Sequence, residues 1–97
     1  MAEPSDPWGL IRTETFLRAL RKYLKKHPDR SEAVRQVLTA LTVDPWQQRL
    51  RLHPLGGQME GLHAVRVTHG DRIILVLAIR EHQIVLLDIG LHDAVYR

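Results

Sequence analysis

The chain has no cysteine and only five aromatic residues, one phenylalanine, two tryptophans and two tyrosines, among its 97 positions. Without cysteine there is no disulfide framework, no thiolate nucleophile and no Cys-based zinc or iron–sulfur site, as suits a reducing cytoplasm. No apolar run approaches the ~20 residues that span a bilayer, and Met1 to Asp6 lacks the charged and apolar regions of a signal peptide. A soluble, cytoplasmic protein is expected, with no membrane contact. Serine occurs only at Ser5 and Ser31, which leaves Ser-His-Asp catalysis without a well-placed nucleophile. Gly56-Gly57 lacks the Gly-Lys-Ser/Thr ending of a phosphate loop. The six histidines include no His-x-x-x-His pair, so neither a metal nor a cofactor is expected. A chain of 97 residues holds one modest core, which predicts a single domain over residues 1–97 that includes a flexible tail at 1–6.

What is present is positive charge in the first third of the chain. Formal charge is only +3, yet Arg12, Arg18, Arg21, Lys22, Lys25, Lys26, Arg30 and Arg35 crowd together. Such a cluster attracts polyanions through a sequence-independent Coulomb force, although two solvated helix faces account for the same composition.

Hydropathy patterning predicts an α+β fold. Trp8 to Arg12 reads as a short strand. Phe16, Leu20, Tyr23, Leu24 and His27 then recur at three- and four-residue spacing, which predicts a helix capped by Thr13 or Thr15 and stopped by Pro28. Asp29 and Glu32 have the form of a capping box, and Val34, Val37, Leu38 and Leu41 mark a second helix to about Thr42. The short connection predicts an αα-hairpin. After Asp44-Pro45, Gln48 to His53 alternates, with Leu50 and Leu52 on one side and Arg49, Arg51 and His53 on the other. Leu62 to Thr68, Arg72 to Ile79 and Gln83 to Ile89 are rich in Val, Ile and Leu and predict an antiparallel β-meander packed against the helices.

Period-two geometry places His63, Val65 and Val67 on one face of the first meander strand and Arg66 on the other. On the last strand Val85, Leu87 and Ile89 oppose Ile84, Leu86 and Asp88. An isolated arginine in an apolar strand requires a partner, which leaves two readings of Arg66: an ion pair with Asp88 or a phosphate site. Histidines that titrate near neutrality, arginines that stabilise negative charge and a tyrosine near the end suit acid–base chemistry on a phosphodiester. RNA supplies its own nucleophile, the 2′-hydroxyl, so neither metal nor cofactor is required.

The order Phe16-Leu17-Arg18-Ala19-Leu20, Leu41-x-x-Asp44-Pro45, His53-Pro54-Leu55-Gly56-Gly57, the Arg66 strand, Asp71-Arg72-Ile73-Ile74 and Ile89-Gly90-Leu91-His92-Asp93-Ala94-Val95-Tyr96-Arg97 resembles the RelE/ParE toxin superfamily, in particular its RelE- and YafQ-like branches. The resemblance implies the toxin of a toxin–antitoxin pair, an endoribonuclease that cuts messenger RNA at the ribosome and is neutralised by a cognate antitoxin. By position, His92 resembles the family's C-terminal general acid or base and Tyr96 its terminal aromatic. Arg66 resembles a phosphate-stabilising strand position, His53 falls where YafQ-like members keep a functional histidine, and Asp71-Arg72 lies near their functional turn. RelE itself has Arg at the His92 position and lysines in the segment of Arg49 and Arg51, and YafQ-like toxins favour His where Arg66 stands. On this resemblance the candidate catalytic set is His92, His53, Arg66, Tyr96 and Arg72. Arg49 and Arg51, with Arg21, Lys22, Lys25 and Lys26 of the first helix, are the candidate RNA-binding set. A ParE-like inhibitor of DNA gyrase and an inactive antitoxin-binding module on the same scaffold are the alternatives.

Overall fold

A computed structural model of the chain describes residues 6–91. The candidate residues His92 and Tyr96, and all but the last residue of the expected N-terminal tail, lie outside that range. Strand β1 (Gly9–Arg12) leads into helix α1 (Glu14–Lys26), and a 3-10 turn (Pro28–Arg30) leads into helix α2 (Ser31–Val43). Four strands follow: β2 (His53–Pro54), β3 (His63–Thr68), β4 (Asp71–Ala78) and β5 (Gln83–Leu91). They form a five-stranded sheet in the order β1-β5-β4-β3-β2, antiparallel throughout except that β1 runs parallel to β5. The α+β architecture of a first strand, αα-hairpin and meander is therefore as the patterning predicts. Among the described residues no helix is long and apolar enough to cross a membrane.

Thr13 is the cap that starts α1. Its hydroxyl oxygen accepts from the Phe16 amide at 3.0 Å and its proton goes to the Leu86 carbonyl at 2.7 Å, which ties the helix start to β5. Phe16 and Tyr23 are buried on the sheet side, flanked by half-buried Leu17, Leu20 and Leu24. The Asp29–Glu32 capping box does not form. The 3-10 turn already supplies backbone bonds to the start of α2, and Glu32 pairs instead with Arg35 at 3.2 Å. Trp8 anchors β1 by stacking on His82 with ring centroids 4.1 Å apart and meeting Trp46 edge-on at 5.4 Å.

Two expectations of alternation are corrected. Gln48 to His53 is not an extended strand: Gln48–Leu50 is a 3-10 turn, Arg51 has φ 54°, and only His53–Pro54 pairs with β3. The turn buries Leu50 without a ladder, and Pro54 has no amide to donate to one. On β5 strict alternation fails at Leu87, because Ile74 faces Asp88 while Leu75 faces Leu86. The extra residue is a β-bulge. It carries Ile89 into the main core with Ile84 and Leu86, whereas Leu87 packs on the opposite face with Ala64 and Ile74. Unbroken alternation would have put Asp88 in the core.

One buried polar network joins these layers. The Asp71 side chain, at the start of β4, is fully buried. Its Oδ2 accepts from the Tyr23 hydroxyl at 2.6 Å, from Arg30 Nη1 at 2.7 Å and from the Thr68 hydroxyl at 2.6 Å. Burial pushes this carboxyl up, but the hydroxyls of Thr68 and Tyr23 and the charges of Arg30 and His27 outweigh it and hold the group below its ordinary value. Burial, and then the bond to Asp71, push the Tyr23 hydroxyl up to about 12.

Removing the carboxylate strands Arg30, the buried Tyr23 hydroxyl and the part-buried Thr68 hydroxyl, so Asp71→Ala is expected to cost about 3–5 kcal/mol in urea unfolding, and a loss below about 1 kcal/mol would show the network to be dispensable. The pH dependence has two limbs. Asp71, depressed in the folded state, contributes stability above the unfolded value of about 3.9 that is lost as pH falls through its lower folded value. Tyr23, raised to about 12, contributes stability below the ordinary value of about 10 that is lost as pH rises toward 12. Unfolding curves across pH should show both limbs in the wild type, and Tyr23→Phe should lack the alkaline one.

Candidate nucleic-acid interface

The helices cover one face of the sheet, and the register defines what stands on the other. Arg66 on β3 lies directly opposite Arg72 on β4, and Arg72 lies opposite Gly90 on β5. The neighbouring row runs His53, Ala64, Ile74, Asp88 across four strands. Leu55, Met59 and Leu62 fold over Ala64 and Ile74, so a small apolar cluster adjoins the arginine row. Side chains directly opposite in a ladder have Cβ atoms about 4.5–5.5 Å apart, and like charges there repel.

The two guanidinium groups are held differently. Arg72 Nη1 donates to the carbonyls of Thr68, His69 and Asp71 at 3.0–3.1 Å, which fixes it over its own turn. Arg66 makes no ion pair among the described residues, so the Arg66–Asp88 pair allowed by the sequence is not formed: Asp88 is one row away, and its Oδ1 accepts from the Ile89 amide at 2.8 Å. The Nε of Arg66 and that of Arg72 are both buried without a hydrogen-bond partner among the described residues. Arg66 also lines a cleft of about 150 Å³ with Arg49, Gln36 and Leu50.

The sequence candidates thus separate into groups. Arg66, Arg72 and Arg49 come together around the β3–β4 ladder and the adjoining cleft. His53 occupies the next row, where Nδ1 donates to the Arg51 carbonyl at 2.8 Å and the imidazole is oriented by that bond. Arg51 is exposed, with left-handed backbone, two residues before it. Lys22 and Lys26 line a separate groove of about 360 Å³ between α1 and the end of β5, whereas Arg21 and Lys25 lie outside it; all four are exposed. His92 follows directly on Leu91, which is paired with Asp71. Among the described residues no group of three or more His, Asp or Glu side chains converges as a metal site requires.

Sequence reasoning missed the Tyr23–Arg30–Thr68–Asp71 network. Its signal was Asp71 itself, an acidic residue opening an apolar strand directly after a Gly turn, with basic residues and a tyrosine on the helices that cover that strand. The arginine row was also missed, because pairing register is set by the Thr68–Asp71 turn and cannot be counted from one strand.

No protein-family model matches the chain, and no curated protein sequence matches it significantly. Solved structures do match. A chain of the RelBE2 toxin–antitoxin complex of Mycobacterium tuberculosis superimposes with a TM-score of 0.73 at 21% identity, over 94% of this chain and 98% of that one. YafQ of E. coli gives 0.70 at 16% identity, over 93% and 99%. A YoeB/ParE toxin from Agrobacterium tumefaciens gives 0.72 at 15% identity, over 87% and 98%. With nearly the whole length of each chain superimposed, the protein shares the fold of these solved toxin structures.

Proposed function

We propose that the chain is the toxin of a toxin–antitoxin pair and acts as a metal-independent endoribonuclease on messenger RNA at the ribosome, in the cytoplasm. The observation that carries this reading is the Arg66–Arg72 row: two like charges held opposite one another on the open sheet face, each with a buried Nε that has no partner among the described residues. Such an arrangement repels itself until an anion bridges it, and a phosphodiester is an anion of matching geometry. The toxin fold shared with RelBE2, YafQ and the YoeB/ParE toxin supports the same reading, and the RelBE2 assembly supports a cognate antitoxin as partner.

In the proposed reaction a general base takes the proton of the RNA 2′-hydroxyl, the oxygen attacks the adjacent phosphorus, and the bond to the 5′-oxygen breaks as a general acid protonates it. The products are a 2′,3′-cyclic phosphate and a 5′-hydroxyl. His92 and His53 are the acid–base pair, Arg66 and Arg72 neutralise the charge that builds on the phosphate, and Tyr96 contacts a base or assists proton transfer. Arg49 and Arg51, with Arg21, Lys22, Lys25 and Lys26, hold the RNA backbone.

Expression from a tight promoter with mapping of messenger-RNA 5′ ends tests the whole reading: codon-phased cuts support it, whereas DNA damage without cuts indicates gyrase inhibition and no effect indicates an inactive module. His92→Ala is expected to lower the cleavage rate by about 10²–10⁴ with unfolding unchanged, and full activity would remove His92 from the mechanism. Arg66→Ala is expected to lose more cleavage than Arg66→Lys, because an ammonium is a point charge where the guanidinium holds two oxygens. Since it relieves repulsion across the row, Arg66→Ala should unfold at the same or a higher denaturant concentration than wild type. A destabilised variant would mark the arginine as structural.

A further inference from the structure

We infer that the groove between the last two turns of α1 and the end of β5 holds one nucleotide of the RNA strand beside the scissile phosphate, with Lys22 and Lys26 on its phosphate and Asp88 on its base. The inference rests on the ribonuclease reading for the identity of the ligand, and on the groove itself for the rest.

Ala19, Lys22, Tyr23 and Lys26 stand at helical spacing of three, four and seven, so one stripe of α1 faces the groove. That stripe sorts the four basic residues of the helix: Lys22 and Lys26 line the groove, and Arg21 and Lys25 do not. Neither lysine makes an ion pair among the described residues, whereas Arg18 on the same helix lies 4.0 Å from Glu14. The cavity of about 360 Å³ is large enough for a single nucleotide and too small for a folded partner.

Tyr23 is fixed by its bond to Asp71, and its ring lies 5.1 Å from that of His27, which presents an aromatic surface on the groove wall. Opposite stands Asp88, one carboxylate oxygen of which holds the Ile89 amide while the other has no partner among the described residues. A carboxylate only accepts hydrogen bonds, so it favours a base whose exocyclic amine offers two donors over uracil, whose one donor is its ring N3–H. Gly90 belongs both to the groove wall and to the row that contains Arg72 and Arg66. A strand whose phosphate sits on the arginines therefore places its next nucleotide at the groove. The edge of β5 beyond Leu86, unpaired among the described residues, suits a pairing protein strand less well, because the Leu86 carbonyl is taken by Thr13 and the Ile89 amide by Asp88.

The test is fluorescence anisotropy of a short RNA, and of the same oligonucleotide with 2′-deoxyribose, against full-length protein at several salt concentrations, together with mapped messenger-RNA 5′ ends in cells expressing each variant. Lys22→Ala/Lys26→Ala should bind about tenfold more weakly, with a log–log salt slope smaller by about 0.7 for each phosphate no longer neutralised. Arg12→Ala/Arg80→Ala, with the same charge change elsewhere, should stay within about twofold of wild type. Asp88→Asn should keep affinity while cleavage beside uridine rises relative to the other bases. Equal losses in both double variants would reduce the groove to diffuse charge, and an unchanged base preference in Asp88→Asn would remove Asp88 from recognition; either result overturns the inference. Loss of poly-glutamate binding in Lys22→Ala/Lys26→Ala with RNA affinity intact would assign the groove to an acidic polypeptide and overturn it as well. If wild type binds RNA through the groove but cleaves none, the ribonuclease reading falls and the groove stands.

Discussion

The Asp71 carboxylate is the constraint on which the site depends. It is the point where α1, the turn before α2, β3 and β4 meet, through Tyr23, Arg30 and Thr68. A buried carboxylate is tolerable only when several donors compensate its lost hydration, and here three of them converge on a single oxygen. The geometric result is that the β3–β4 turn has one register. Thr68 faces Asp71 across it, and the next ladder pair is Arg66 with Arg72. The core-side acid and the open-face arginines are thus consecutive consequences of the same turn.

This arrangement gives the two faces of the sheet opposite electrostatic characters. On the helix side three donors converge on Oδ2 of the fully buried Asp71, while its Oδ1 has no partner among the described residues. On the open side two cations stand together, and their Nε atoms have no acceptor among the described residues. Arg72 is held in place by three backbone carbonyls, which orient it without neutralising it. Carbonyl oxygens carry only partial charge, so the formal charge of the row remains available to a ligand.

The sequence made the helices legible because their apolar spacing has a period that only a helix satisfies, and Phe16, Tyr23, Val34 and Leu41 are buried as that spacing requires. It made Val65 and Arg66 legible as residues of opposite faces for the same kind of reason. It failed where a single local event changed the count. The bulge at Leu87 reversed the faces of β5, and nothing in a run of Ile, Val and Leu marks which residue is the extra one. The segment from Gln48 to His53 has two alternating leucines, too few to separate a strand from a 3-10 turn that buries Leu50. Of the candidate site, the residue types could be named from sequence. Their grouping could not, because the Arg66–Arg72 pairing and the separation of Lys22 and Lys26 from Arg21 and Lys25 depend on register and helix rotation.

The bulge also decides what β5 can contribute to both surfaces. Without it Asp88 would point into the apolar layer beside Ile84 and Leu86, an unpaired carboxylate in a core that offers it no donor. One additional residue moves Asp88 out to the row beside Ile74 and brings Ile89 inward, and Asp88 then binds the Ile89 amide. The irregularity therefore satisfies the core and equips the surface in the same step. A strand of uniform pleat could keep Ile89 inside or Asp88 outside only by shifting its whole register, which would carry Ile84 and Leu86 out of the core. The short β1 is compatible with this design because it pairs only with Gln83 to Leu86, before the bulge, and leaves the rest of β5 to face α1 across the groove.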